Sequence, residues 1–362
     1  MFRNNRGIAL IITLTIITVI LAITFELNRQ MRASVTDAAA TRDYMTLSHM
    51  VGSGVEIANA ILVKDKNETE IDSIQEEWAD TRVVDEYLAQ VPFEKGKISL
   101  EITDERSRIQ INALVNYPEG RDFNPPQQEL WKRFFALLLT QQELADDSLF
   151  SEPLVPDMII NPVKDWLDWN DDDAITGLTG AENAYYQDLD PPYSCRNGPF
   201  KDISELLRVK NITPELFSSF EENVPGISNY ITVYGMTPLE GDQHRFTYDG
   251  KININTAEAP VIAALLPLGE EFLAEEIVAY RDEKTNDEYL HDLTGANWYK
   301  EAPGAGDVEI KSELVTTSSD LFRIVCRAEL EETAMTATVT VMREKEEETG
   351  KWRCRVLNWK YE

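Results

Sequence analysis

The chain has 362 residues, 43% of them hydrophobic, which is enough to bury cores and excludes disorder throughout. Its 64 acidic against 34 basic side chains give a formal charge of −30. Such a field repels phosphate backbones, so no nucleic acid partner is expected, and it suits solubility, cation binding or basic partners.

A short leader, Met1 to Gly7, carries Arg3 and Arg6, and the stretch from Ile8 to Phe25 holds no charged residue. About twenty apolar residues cross a hydrocarbon core of about 30 Å, so this run reads as a transmembrane span over 8–25. No small-x-small cleavage site follows it, as a secretory signal would require. Instead Val35, Ala38, Ala39, Met50, Val51, Ala58 and Ile61 recur at a helical period, predicting one helix from Ile8 to Leu62. Arg3 and Arg6 favour a cytoplasmic amino terminus, with Arg29 and Arg32 pulling the other way.

This opening resembles the class III signal of type IV prepilins and pseudopilins, a basic leader ending in Gly7 before Ile8-Ala9-Leu10-Ile11. The resemblance implies that a prepilin peptidase cuts after Gly7 and methylates Ile8. Most members carry a glutamate at the fifth mature position, where this chain has Ile12. That carboxylate is thought to neutralise a neighbour's terminal amine in lipid, where an unpaired charge is costly. Its absence fits a subunit at the end of a filament.

Beyond the anchor, further helix is expected to about Gln90. Lys97 to Thr103 and Arg108 to Asn112 alternate polar and apolar residues and read as a hairpin. Leu321 to Ala328, Ala334 to Met342 and Lys351 to Trp359 read as three more strands. Between these regions the signals turn helical: an apolar face over Trp131 to Leu139, caps at Asp202 with Glu205 and at Thr213-Pro214, and a capping pattern over Asn255 to Glu258. The expected fold is α+β: a long amino-terminal helix on an antiparallel sheet, with a large inserted all-α domain. The divisions are a leader 1–7, a helix 8–62, a sheet domain 63–116 with 308–362, and an insert 117–307.

The whole chain resembles the K-type minor pseudopilin family, also called general secretion pathway protein K. The likeness rests on Val163-Lys-Asp-Trp-Leu-Asp-Trp-Asn-Asp-Asp-Asp173, Gly180 to Tyr186, Pro191-Pro-Tyr193, Asp202 to Leu207 and Lys251-Ile-Asn-Ile-Asn-Thr-Ala257. It implies a non-enzymatic subunit of type II secretion, held in the inner membrane with its body in the periplasm. With the I and J minor pseudopilins as partners, it would sit at the tip of a pseudopilus that helps export folded proteins. A pilin-like subunit of a related filament or DNA-uptake system is the alternative.

Asp168, Asn170, Asp171, Asp172 and Asp173 crowd oxygen donors into one loop, and Glu182 can fold back across Gly177 and Gly180. Such donors suit calcium, which takes 6–8 oxygens, although a solvated acidic loop is the competing reading and no EF-hand pattern is present. Calcium sites in the helical domain of the K-type family favour the metal. Asp188, Asp190 and Asp202 are candidates for a second site. Trp166 and Trp169 read as core anchors beside the loop. Cys326 and Cys354 either pair in the terminal sheet or remain separate thiols. Lys251 to Arg281 is similar to a helix-hairpin-helix unit, but glutamates crowd the place of the phosphate, and Ser204 to Phe217 reads as a weaker second unit. With His49, His244 and His291 scattered and no nucleophile motif, no catalytic residue is assigned.

Overall fold

The computed structural model describes residues 6–91, 93, 95–144, 154–170, 174–221, 224–239, 242–331 and 333–361. The leader to Asn5 and Asp171 to Asp173 lie outside them. Helix α1 runs Arg6–Glu68 and behaves differently along its length. From Ile8 to Phe25 its large apolar side chains are exposed, and it is long and apolar enough to cross a membrane. From Leu47 onward Met50, Val51, Val55, Ala58, Ile61 and Leu62 are buried at helical spacing. The helix outlasts the expected end at Leu62 because Arg343 holds its last turns, donating to the Leu62 carbonyl (3.0 Å) and to Asp65 (2.9 Å).

After a bend, Asp80 caps α2 (Thr81–Ala89), and β1 follows (Lys97–Asp104). Asp104 then caps a 3-10 turn at Glu105–Ser107, which carries the chain away from the sheet. Here the expected hairpin fails. Strand β2 (Ile109–Gln110) does not pair with β1 but lies parallel to β5 (Ile231–Thr232), inside the second core. The edge of β1 is taken instead by the carboxy-terminal part of the chain.

The insert contains α3 (Pro125–Leu144), α4 (Asp157–Leu167), α5 (Asn183–Gln187), α6 (Pro214–Ser218), α7 (Ala259–Leu265) and α8 (Leu273–Asp282). It is not all-α. Strand β3 (Ser219–Glu221) pairs with β4 (Val224–Pro225), and β6 (Met236–Leu239) with β7 (Asp242–Tyr248). Strand β8 (Ile252–Asn253) lies parallel to β11 (Val315–Thr316), and β9 (Lys284–Thr285) faces β10 (Glu288–Tyr289). The buried apolar side chains of this core span Ile109 to Leu314, somewhat beyond 117–307 at each end. The weaker hairpin unit is a 3-10 turn, Ile203–Arg208, followed by the short α6, with Asn211 in the left-handed region at φ 68.

Strands β12 (Leu321–Leu330), β13 (Thr333–Lys345) and β14 (Trp352–Tyr361) complete an antiparallel sheet in the order β1-β12-β13-β14. Its inward residues, among them Ile324, Cys326, Val339 and Val341, cover α1 and form the first core. Cys326 stands opposite Ala337 and Cys354 opposite Arg343, six positions further along β13. That offset alone is about 20 Å, and a disulfide needs Cα atoms within about 7 Å, so the pairing of Cys326 with Cys354 is excluded and both are free thiols. Burial pushes the Cys326 thiol up to about 12.

The helix approaches the sheet through Gly54, where a Cβ would stand 2.5 Å from the Cys326 sulfur. Gly54→Val is expected to lower stability by about 1–3 kcal/mol through overpacking. In thermal melts, adding Cys326→Ala should restore part of the loss, so that the double variant is more stable than the sum of the singles. Strict additivity would mean that the sulfur is not the obstacle.

The two cores meet around the Asn253 and Asn255 segment. Asn253 Nδ2 donates to the Asp72 carbonyl (2.9 Å) and to Asp104 (2.7 Å), while Asn255 accepts from the Trp298 indole (2.7 Å). Buried Glu105 pairs with Arg108 (2.7 Å) and Arg323 (2.9 Å) and accepts from Thr232 (2.7 Å). Burial would raise its carboxyl, but the two guanidinium groups hold it below the usual range. Thus Lys251 to Ala257 is a seam between domains.

Candidate metal centre

Within the insert, α4 sets Asp165 and Asp168 about one turn apart on its inner side, with Asp168 closing the helix. Glu182 returns to the same place from the start of α5. One carboxylate oxygen from each of Asp165, Asp168 and Glu182 lies within 4.8 Å of the others, and all three residues are buried. The wrap is enforced by backbone bonds, because the N–H groups of Thr176 (3.1 Å) and Ala181 (2.8 Å) donate to Asp165. Gly177 takes φ 60, and Gly180 lies so close to Asp165 and Thr176 that a Cβ would strike both.

Lys164 Nζ donates to Asp168 Oδ2 at 2.5 Å and stands 3.9 Å from Asp165. Among the described residues, Asp168 Oδ1 is buried with no side-chain partner. Burial raises the Asp168 carboxyl despite Lys164 beside it. Among the described residues, Asp165 and Asp168 share the one ammonium of Lys164 in a dry place, an arrangement that a divalent cation would complement. Oxygens on opposite sides of calcium are about 4.8 Å apart at its bond lengths of about 2.4 Å, so one oxygen from each side chain can reach a common ion. The donor set therefore fits a hard cation.

Of the residues expected from sequence, Asp168 and Glu182 converge, and Asp165 joins them unforeseen. Asn170 follows Asp168 on the described chain, and Asp171, Asp172 and Asp173, expected to join them, lie outside the described residues. The proposed second set does not form a carboxylate grouping among the described residues. Asp202 instead caps the 3-10 turn, accepting from the Ser204 N–H (2.8 Å) and hydroxyl (2.5 Å), which lowers its pKa. Asp188 closes α5, and Asp190 precedes Pro191. Trp166 is a core anchor stacked on Phe200 (6.3 Å between ring centroids), whereas Trp169 is 45% exposed, lying over Gly120 and beside Tyr117.

A second acidic grouping, Asp65, Asp72 and Glu76, already holds a cation of the protein's own. Arg343 bonds to Asp65, Asp72 and the Ser319 carbonyl (2.8 Å), and Glu76 accepts from the Ser73 N–H (2.9 Å) and the Trp78 indole (3.0 Å). At the α7–α8 hairpin, Gly269 takes φ 92, and its N–H donates to Glu271 (2.8 Å). The backbone donor a phosphate would need is thus occupied by a carboxylate.

Residues 107–225 match the family model described as type II secretion system (T2SS), protein K. A curated Pseudomonas aeruginosa protein named type II secretion system protein K is 26% identical over 306 residues, covering 81% of this chain and 78% of that one. The Klebsiella pneumoniae protein of the same name is 23% identical over 67% of this chain and 69% of its own length. Among solved structures, a chain from the GspK-GspI-GspJ complex of the enterotoxigenic Escherichia coli type 2 secretion system aligns with TM-score 0.63. It is 15% identical and covers 90% of this chain and 99% of its own, a likeness of fold.

Proposed function

We propose that this chain, which belongs with the type II secretion system K proteins, is a minor pseudopilin that ends the pseudopilus and assists export of folded proteins across the outer membrane. The observation that carries this reading is the division of α1. Its first part presents apolar side chains to no other described element, and its second part is the spine on which the sheet is built. In lipid, the free half would pack against partner helices, with Ala22, Ala33 and Ala38 to Ala40 allowing close approach. Ile12 brings no carboxylate to a neighbour's terminal amine, and the insert adds bulk that opposes a further subunit above it.

On this reading the chain crosses the inner membrane once, with its body in the periplasm. Gly7 and Ile8, in the first turn of α1, are where a prepilin peptidase cuts and methylates. Partners are the I and J minor pseudopilins, and the role is structural. Asp165, Asp168 and Glu182 would hold a structural calcium that neutralises their charge and pins the Thr176 to Ala181 loop to α4.

Co-expression with a prepilin peptidase and the I and J subunits tests the reading. The expected product lacks Met1 to Gly7 by mass, carries a methylated Ile8 and purifies in a complex with both subunits. An uncut, membrane-free protein would overturn the class, and labelling along the shaft would overturn the placement at the tip.

A further inference from the structure

We infer that the groove between α3 and the α7–α8 hairpin is a docking surface for an amphipathic helix of another protein, one that carries lysine or arginine beside its apolar stripe. The groove encloses about 240 Å³, and its floor is apolar, with Phe134 and Leu138 from α3 facing Ala263 from α7. Phe272 stands at its mouth 71% exposed, and Leu268 at the hairpin tip is 86% exposed. The fold does not need these two side chains. The hairpin is held from beneath by Arg281, which donates to the Ala257 carbonyl (2.6 Å), and by buried Leu273 and Ile277. Its tip is fastened to α3 by Arg133, which donates to the Leu266 carbonyl (2.6 Å). The groove is therefore formed in advance, with both walls tied down; its floor residues Phe134, Leu138 and Ala263 are themselves buried, and the apolar surface left open to water is that of Phe272 and Leu268.

The rim selects the occupant. Glu271 and Glu275 line the groove and Glu276 is exposed on the next position of α8. None of these carboxylates enters an ion pair among the described residues. An apolar trough between helices, edged with carboxylates that have no cationic partner among the described residues, complements a helix whose apolar face is flanked by cations. The same charge repels an anionic lipid surface and, with a total of −30, a second copy of this chain.

The full chain in zwitterionic nanodiscs would be titrated with a synthetic leucine-lysine amphipathic helix bearing a fluorophore and a photoreactive group, empty nanodiscs giving the lipid background. Saturable binding is expected, with crosslinks on α3 and α8. Phe272→Asp and the pair Glu275→Lys with Glu276→Lys should each weaken it at least tenfold. Glu347→Lys with Glu348→Lys, a reversal on the exposed β13–β14 turn, should leave it unchanged. Equal weakening by the remote pair would assign the affinity to overall charge and overturn the inference, as would crosslinks elsewhere or binding no stronger than to empty nanodiscs. A concentration-dependent dimer abolished by Phe272→Asp would overturn it in favour of self-association.

Discussion

Arg343→Met is expected to lower the stability of the membrane-anchored protein by about 3–5 kcal/mol, a fall in melting temperature on the order of 10 °C. The Arg343 side chain is 1% exposed and is the cation between Asp65 and Asp72. Removing it leaves two carboxylates in the dry space between α1, β13 and the Ser319 turn with only Lys66, 3.9 Å from Asp72, as a cation, and methionine can fill that space but cannot neutralise it. Burial raises Asp65 to about 6 and Asp72 to about 7, with Arg343 opposing the rise in both. Because these folded-state values exceed the unfolded one, 3.8, the folded protein holds the extra protons, and stability falls as pH rises through that window. Without Arg343 both groups rise further, so the gap between variant and parent should be smallest below pH ~4, where both carboxyls are protonated in either folded protein, and widen towards pH ~8. Adding Asp65→Asn and Asp72→Asn should recover much of the loss, since the buried charge then disappears. Melting curves from pH 4 to 8 decide the matter: a gap below about 1 kcal/mol at all pH values would mean that water, not Arg343, satisfies the acids. This guanidinium adds a polar link between the last turns of α1 and the sheet beside the apolar packing of the first core.

Arg343 also shows where the sequence was readable and where it was read too coarsely. The terminal strands follow from alternation, and Met335, Ala337, Val339 and Val341 define the inward parity of β13. Arg343 continues that parity, so its burial was written in the pattern, but its acidic partners lie on α1 and the following bend and carry no local mark. The β1 pairing was lost for the same reason. Two alternating segments with a short turn between them favour a hairpin locally, whereas Leu100 pairs with Cys326, far along the chain. In the insert, the alternation of Arg245-Phe246-Thr247-Tyr248 was a legible strand signal passed over among stronger helix caps. The metal site was half legible. The density of acids in 168–173 points to a loop, whereas Asp165 and Asp168, three residues apart, share a helix face that periodicity alone marks.

Calcium chelation should therefore destabilise the full chain, and Asp168→Asn should abolish that response. A ligand that binds only the folded state, at about one hundred times its dissociation constant, adds about 2.7 kcal/mol, so EGTA is expected to lower the insert's melting temperature by roughly 5–10 °C. Magnesium should substitute poorly, because it prefers a strict octahedron and keeps its water. Asp168→Asn replaces an oxygen that has no side-chain partner among the described residues, together with the charge that burial makes costly. In chelator the variant should consequently be as stable as the parent or more so, whereas in calcium it should be less stable: the order of the two proteins inverts with the ion. A fold defect cannot produce that crossing, since it would lower the variant under both conditions. The elevated Asp168 carboxyl adds a sign to the pH dependence. Protons and calcium compete for the same oxygen, so calcium affinity should weaken as pH falls from 7 to 5. If parent and variant instead melt alike with and without calcium, the three carboxylates are satisfied within the protein and by protons, and the ion has no place there.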